Sequence, residues 1–375
     1  MVKMKKKVGI FVPTFLNTSE TFIYNIVSKL KIFKPVIFAK EQKNQKLFPI
    51  DQVHTIKDFK FSERFSDNWL KKYGATIGKL KKEGVLLIHA QFGTVGAELV
   101  ALKEQWPALP LITHFRGQDA YQLVSDPFYR MKLKKLFRLG DLFLTVSENM
   151  RDYLVENLGC PEKKVEVHYG GIDLHKMKYK VRNLRGGRKK LKLLMCGRLT
   201  EKKGFEYGIR AFFELLARGY DLYMEIIGQG PLENNLKKFV KKLRIEKHIK
   251  FLGDKPQDFV LKTINSADLL LAPYVIAKNG DREGIPNILK EALACGLPVI
   301  STKHAGVPEI IKDEVTGFLV NEKAVIMLSR KIEELCKDEE LVKKFAHKGR
   351  ELVEKQFNLE KQNAKLERYY QKVLS

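Results

Sequence analysis

Short, continuous apolar runs alternate along the chain with longer stretches in which apolar residues recur every three or four positions. In the first half the runs fall at residues 8–12, 36–39, 85–90, 111–115 and 142–146, with a shorter one at 165–168. Runs of this length bounded by turn residues are expected for strands buried on both faces. Alternation with helical patterns predicts a parallel sheet covered by helices on each side. A second series opens at 191–196 and continues at 222–227, 249–252, 269–272 and 298–301. Two doubly wound α/β domains are therefore expected, at residues 1–175 and 191–356. The polar, basic stretch 176–190, with Gly186 and Gly187, reads as a hinge between them. Residues 359–374 read as a charged helix with Leu366, Tyr369, Tyr370 and Val373 at helical spacing.

Composition narrows the setting. The 375 residues suffice for two cores, and no apolar run approaches the roughly 18–20 residues that span a bilayer. The basic start followed by the run at 8–12 resembles the opening of a signal peptide. That run is too short, however, and Pro13 and the polar Asn17-Thr18-Ser19-Glu20 follow it, so it reads as a first buried strand. Cysteines at 160, 196, 295 and 336 have no paired spacing, which favours a reducing, cytoplasmic compartment and argues against zinc. The net charge of +25 is uneven: the first 189 residues carry 35 Lys and Arg against 18 Asp and Glu, the remainder 34 against 26. Such a field attracts anionic surfaces, whether lipid headgroups, a polyphosphate carrier or nucleic acid. The smaller excess in the second half fits the alternative of a chain that is lysine-rich throughout.

Candidate chemistry gathers in that second half. Glu283-Gly-Ile-Pro-Asn-Ile-Leu-Lys-Glu291 sets two carboxylates eight positions apart. Pro286 suits a first helical position, and the helix is expected to run through Leu293 and stop at Gly296. Glu283 then precedes the helix while Glu291 lies inside it, and the N–H groups of Gly284, Ile285 and Asn287 lie at its positive end. Two acceptors flanking a nest of donors suit a polyhydroxylated, phosphorylated ligand, although such a pair also occurs on solvated helices. Cys196-Gly-Arg-Leu-Thr-Glu-Lys-Lys-Gly204 places Arg198 and Lys203 at the carboxyl end of a strand, where open α/β sheets bind ligands. A planar guanidinium and an ammonium suit a diphosphate. Gly228 and Gly230, before Pro231, allow close backbone approach to a ligand.

With Gly306-Val307-Pro308-Glu309, these elements resemble the retaining glycosyltransferases of family 4, which carry an E-x7-E signature on the GT-B fold. The resemblance implies two Rossmann-like domains facing across a cleft, an acceptor side in the first and a nucleotide-sugar site in the second. It also implies that residues 357–375 cross back to the first domain. Arg198 and Lys203 would clamp the diphosphate, Glu283 would bind sugar hydroxyls, and Glu291 the ribose. Gly228 and Gly230 would lie near the donor, and Gly253, Asp254 and Lys255 in the stretch that holds the nucleobase. Relatives place a His before the Gly of a G-x-D turn. Here Arg116 precedes Gly117 and Asp119, while His114 lies two residues earlier on the same strand face, leaving open which fills that role. His89 ends another strand and is a further candidate. Asn17 and Glu20 fit a capping box. Glu20 also belongs to the run at 19–23, which resembles a branch associated with bacterial exopolysaccharide and lipopolysaccharide assembly, and contact with the acceptor is the other reading. Ser147-Glu148 and Gly170-Gly-Ile-Asp173 match further landmarks.

No D-x-D occurs, so no metal and no cofactor are expected beyond a nucleotide-diphosphate sugar as donor substrate. The expected acceptor is a glycan or lipid-linked glycan, the expected location the cytoplasm, on an anionic inner membrane face. Two alternatives stand beside a transferase of a hexose-type sugar. One is an epimerase or hydrolase of nucleotide sugars on a similar fold. The other is a basic nucleic-acid-binding protein, against which the ordered glycine-rich strand ends speak.

Overall fold

The computed structural model describes residues 5–17, 20–46, 48–50, 52–56, 69–184 and 190–375. The chain divides into two compact units, Met1–Gly171 with Leu359–Ser375, and Ile172–Asn358.

The first unit holds a seven-stranded parallel sheet of β1 (Lys6–Phe15), β2 (Phe33–Gln42), β3 (Val53–Thr55), β4 (Val85–Ala90), β5 (Leu111–Phe115), β6 (Leu142–Thr145) and β7 (Val165–Val167), in the order β3-β2-β1-β4-β5-β6-β7. Strand alternation sends Val8, Ile10 and Val12 to one core and Phe11 to the other. One core is closed by helices between the strands, including Gly93–Gln105 and Pro127–Leu139. The other is closed in part by the helix Leu359–Leu374 through Leu366, Tyr369 and Tyr370.

Polar contacts fix that last helix in register. The Glu367 carboxylate, buried, accepts the N–H groups of Ile32 at 2.6 Å and Phe33 at 3.0 Å, where β2 begins. Asn363 Nδ2 donates to Ile26 O at 3.1 Å, and the Tyr370 ring meets Phe33 edge-on at 5.2 Å.

The second unit holds β8 (Leu191–Cys196), β9 (Leu222–Ile227), β10 (Ile249–Gly253), β11 (Leu269–Ala272), β12 (Val299–Thr302) and β13 (Phe318–Val320), in the parallel order β10-β9-β8-β11-β12-β13. The order reverses direction between β8 and β11, the crevice where sheets of this type hold their ligands. Two three-residue strands, β3 and β13, went unread in the sequence.

The expected hinge is attached along its described part. Ile172 N–H bonds Phe357 O at 2.9 Å, and Lys180 N–H bonds Cys295 O at 3.1 Å. Residues 172–175, assigned from sequence to the first domain, therefore lie in the second unit. Arg182 is buried, and its guanidinium donates to Ile264 O at 2.8 Å, Ala267 O at 3.3 Å, Lys180 O and Cys295 O. It thereby caps the C-terminal ends of two helices, Gln257–Ser266 and Asn287–Ala294, with a cation, the sign their dipoles favour. Gly186 and Gly187 lie outside the described residues, as do Thr18 and Ser19. Replacing Arg182 with Ala strands several buried carbonyls and is expected to cost about 3 kcal/mol or more. In a unit of this size that lowers Tm by roughly 10 °C, measured by calorimetry.

Candidate active site

The site is built where β8 and β11 end. After β8 the chain turns through Gly197–Thr200 into a single 3-10 turn, Glu201–Lys203, which Gly204 terminates at φ +63°. A Cβ on Gly204 would sit 1.8 Å from Pro273 O, so only glycine lets this turn rest against the segment leaving β11. Val275 N–H seals the approach by donating to Lys202 O at 3.0 Å.

That contact brings two lysines to one carboxylate. Lys203 Nζ lies 3.2 Å from Glu283 Oε2, and Lys202 Nζ lies 3.2 Å from Glu283 Oε1 and 3.1 Å from Asp281 Oδ2. Burial opposes ionisation of Glu283, yet Lys203 and Lys202 outweigh it and hold the carboxyl at about 2. For Lys202, too, burial works against the charge, but Glu283 and Asp281 raise it above the ordinary lysine value. Lys203 Nζ also stands 5.1 Å from the centre of the buried Tyr274 ring.

Glu291 lies on the helix Asn287–Ala294, whose N-cap is Pro286. The expectation of Pro286 at the first helical position is corrected by its φ of −62° and ψ of +134°, which are extended rather than helical. Glu291 is buried and accepts from Gln257 Nε2 at 3.0 Å, and burial raises its carboxyl. Gly284, Ile285 and Pro286 are buried on the approach to this helix, and Asn287 Oδ1 accepts from Lys290 Nζ at 3.2 Å. At the end of β8, burial raises the Cys196 thiol to about 12, with Glu291, Lys203 and Asp254 all acting on it. Arg198 is exposed in the same loop and makes no ion pair among the described residues.

Gly228 and Gly230 pack against the loop that follows β8. A Cβ on Gly228 would meet Gly197 O at 2.0 Å, and one on Gly230 would meet Leu199 O at 2.5 Å. The close approach is therefore to the chain's own loop, which Leu199 N–H ties to Gln229 O at 2.9 Å. Gly253 O accepts the Gly228 N–H at 2.9 Å, Asp254 is exposed, and the Lys255 ammonium covers the Phe259 ring at 5.4 Å.

The candidates in the first unit are largely engaged internally. His89 and His114 have no exposed surface and stack at 5.7 Å, and burial followed by Arg116 keeps both well below ordinary histidine values. His89 Nδ1 lies 2.7 Å from Tyr370 Oη. His89 is closed in by Tyr370 of the last helix, and His114 lies between His89 and His168. Arg116 donates to Gln91 O at 3.1 Å and contacts His114 Nδ1 at 3.2 Å, with its guanidinium 4.5 Å over the Phe22 ring. Burial lowers it to about 9, against the pull of Asp119. Asp119 accepts from Gly93 N at 2.6 Å, Gly117 N at 2.9 Å and Arg116 N at 3.0 Å, so it organises two loops. Glu20 Oε2 accepts from Asn17 N at 3.3 Å, and Glu20 N donates to Asn17 O at 3.0 Å, making the backward half of a capping box.

Sequence reasoning missed Lys202, Gln257, His304 and Glu322. Lys202 had a signal, being the neighbour of Lys203 in the same turn. For the others, only the fold shows which side chains converge. Among the described residues no cluster of three or more potential metal ligands occurs, no helix is long and apolar enough to cross a membrane, and the four cysteines are free.

Two doubly wound units, one bearing acidic and basic side chains at its switch point, form the GT-B fold. Comparison with known proteins agrees. Residues 20–176 match the family described as Glycosyltransferase Family 4, and residues 180–352 the one described as Glycosyl transferases group 1. WcaL of Salmonella typhimurium, a glycosyltransferase assigned to colanic acid biosynthesis, is 33% identical over 74% of this chain and 68% of its own length. The amylovoran biosynthesis glycosyltransferase AmsK of Erwinia amylovora is 34% identical over 73% and 66%. The crystal structure of Anabaena HepE in complex with UDP and glucose superposes with a TM-score of 0.79, at 17% identity, over 98% of this chain and 99% of that one. The chain belongs to glycosyltransferase family 4, of the group 1 type, and is a glycosyltransferase.

Proposed function

We propose that this enzyme is a retaining transferase that moves a hexose-type sugar from a nucleotide-diphosphate sugar to a hydroxyl of a glycan or lipid-linked glycan in cell-surface polysaccharide synthesis. The observation that carries the reading is the Glu283 carboxylate, ionised and held between Lys202 and Lys203 at the switch point. An acceptor fixed in this way suits sugar hydroxyls. Arg198 and Lys203 supply the cations that a departing diphosphate needs, and Glu291 suits a ribose. The bond from the anomeric carbon to the diphosphate oxygen breaks, and the acceptor oxygen bonds the same carbon on the same face. The acceptor's proton passes to the leaving phosphate. Fixed cations and a helix N-terminus take the place of a metal. The assignments of WcaL and AmsK to exopolysaccharide synthesis support the acceptor class, and UDP and glucose bound to HepE support the donor class. The basic first half of the chain suits the cytoplasmic face of an anionic membrane.

A panel of nucleotide sugars tested by thermal shift, followed by product analysis with and without acceptor, decides the reaction. The matching donor at about 100 times its Kd adds roughly 2.7 kcal/mol. With that donor, Arg198→Ala is expected to lose about one to two decades in kcat/KM, through charge-assisted hydrogen bonds of roughly 1.5–3 kcal/mol each. Wild-type turnover by this variant removes Arg198 from the clamp, and product formed without acceptor replaces transfer by hydrolysis or epimerisation.

A further inference from the structure

The segment between β11 and the helix Asn287–Ala294 carries Glu283, and the lysines are not its sole support. His304, fully buried in the turn after β12, accepts the Glu283 N–H on Nε2 at 3.0 Å. Its Nδ1 lies 2.7 Å from Glu322 Oε1, just beyond β13. The other oxygen of Glu322, Oε2, accepts the Ile276 N–H at 2.9 Å. One carboxylate therefore reaches both ends of the Glu283 segment, Ile276 directly and Glu283 through an imidazole.

The protonation state follows from donor and acceptor roles. A backbone N–H can only donate, so Nε2 carries a lone pair, and the single proton of the neutral ring sits on Nδ1 and is donated to Glu322. Burial keeps the ring below the ordinary histidine value, although Glu322 pulls the other way.

We propose that His304, oriented by Glu322, is a positioning residue for the donor sugar: it fixes the backbone at Glu283, so that the carboxylate stands at one height against the sugar hydroxyls. The lysines set the charge of Glu283, and His304 sets its place. This rests on the reading of Glu283 as the sugar-binding carboxylate.

Glu322→Gln tests it with little change of volume. A carboxamide offers one acceptor where two donors, His304 Nδ1–H and Ile276 N–H, now point, so one of them loses its partner. Side-chain 15N spectra of the wild-type protein at pH 7.5 are expected to show the Nδ1–H tautomer of His304. A scalar coupling is expected across the hydrogen bond from the Glu283 amide to Nε2. An Nε2–H tautomer or an imidazolium overturns the proposal.

The functional arm uses the nucleotide sugar that most stabilises the wild type, with the matching nucleoside diphosphate as control. Glu322→Gln and His304→Leu are expected to raise KM for the sugar nucleotide about tenfold and to leave the Kd of the diphosphate within about twofold. His304→Gln, whose amide oxygen can accept the Glu283 N–H, is expected to recover most of the loss. A general loss of fold moves both ligands together, and unchanged KM in both variants overturns the proposal. If no nucleotide sugar binds wild type while the coupling is present, the role of Glu283 itself fails and the proposal falls with it.

Discussion

Glu283→Gln is expected to lower sugar transfer by roughly 100-fold or more and, separately, to remove an acid-sensitive part of the enzyme's stability. The catalytic loss follows from the number of contacts involved. A carboxylate that accepts from sugar hydroxyls makes charge-assisted hydrogen bonds of roughly 1.5–3 kcal/mol each, and the carboxamide keeps only one weaker acceptor. It also removes the ion-pair partner of Lys203 Nζ, now 3.2 Å from Oε2, which is proposed to meet the diphosphate.

The stability change has a defined sign. Folding depresses the Glu283 carboxyl to about 2 from an unfolded value near 4.5, because the two lysines outweigh the cost of burial. A depressed carboxyl contributes stability that is fully present above its unfolded value and is lost as pH falls through the folded one. The contribution is on the order of 3 kcal/mol. Denaturant unfolding of wild type and variant is therefore expected to differ most at neutral pH, with the gap narrowing from about pH 4.5 towards 2. Parallel curves across that window mean that the lysines do not hold Glu283 as described.

Deleting the residues after Asn358 is expected to unfold the first unit. The helix Leu359–Leu374 contributes Leu366, Tyr369 and Tyr370 to one core, and each buried side chain of that size is worth about 1.5–3 kcal/mol. Removing Glu367 also takes the acceptor from two N–H groups where β2 starts, of which that of Phe33 is buried and costs about 1–3 kcal/mol when stranded. The sum falls in the same range as the roughly 5–15 kcal/mol by which a domain is stable. Trp69 and Trp106 both lie in the first unit, so tryptophan emission reports on it alone. A red-shifted, non-cooperative signal is expected from the truncated chain, whereas native emission with a sharp transition shows that the sheet stands without the helix. Within the intact chain, Glu367→Ala is the milder version and lowers the same transition without abolishing it.

Much of the architecture was legible because strands buried on both faces leave continuous apolar runs. β4, β5, β8, β9 and β11 match their runs residue for residue. β1 extends to Lys6 and Lys7, whose polar side chains hide the pairing of their backbone with Phe33 and Lys34. β3 and β13 went unread. At the site, Glu283 and Lys203 were legible from strand ends and a glycine-marked turn, and they meet. Lys202 had only its place beside Lys203 to mark it, since its partners Asp281 and Glu283 lie some 80 positions on. For His89 and His114 the sequence left a structural hydrogen bond and a reach to the ligand both open; His89 packs on Tyr370 of the last helix, and His114 lies between His89 and His168.

The amino-acid pattern alone determined two parallel α/β sheets, the terminal helix, and acidic and basic residues at the strand ends of the second series. These depend on local periodicity and turn chemistry, which a short window of residues contains. The tertiary structure alone decided that Lys202 joins Lys203 at one carboxylate, that His304 and Glu322 hold the backbone beneath it, and that Gly204 makes room for the meeting. Each of these depends on burial and on contacts between residues 18 to 81 positions apart, which local periodicity does not report.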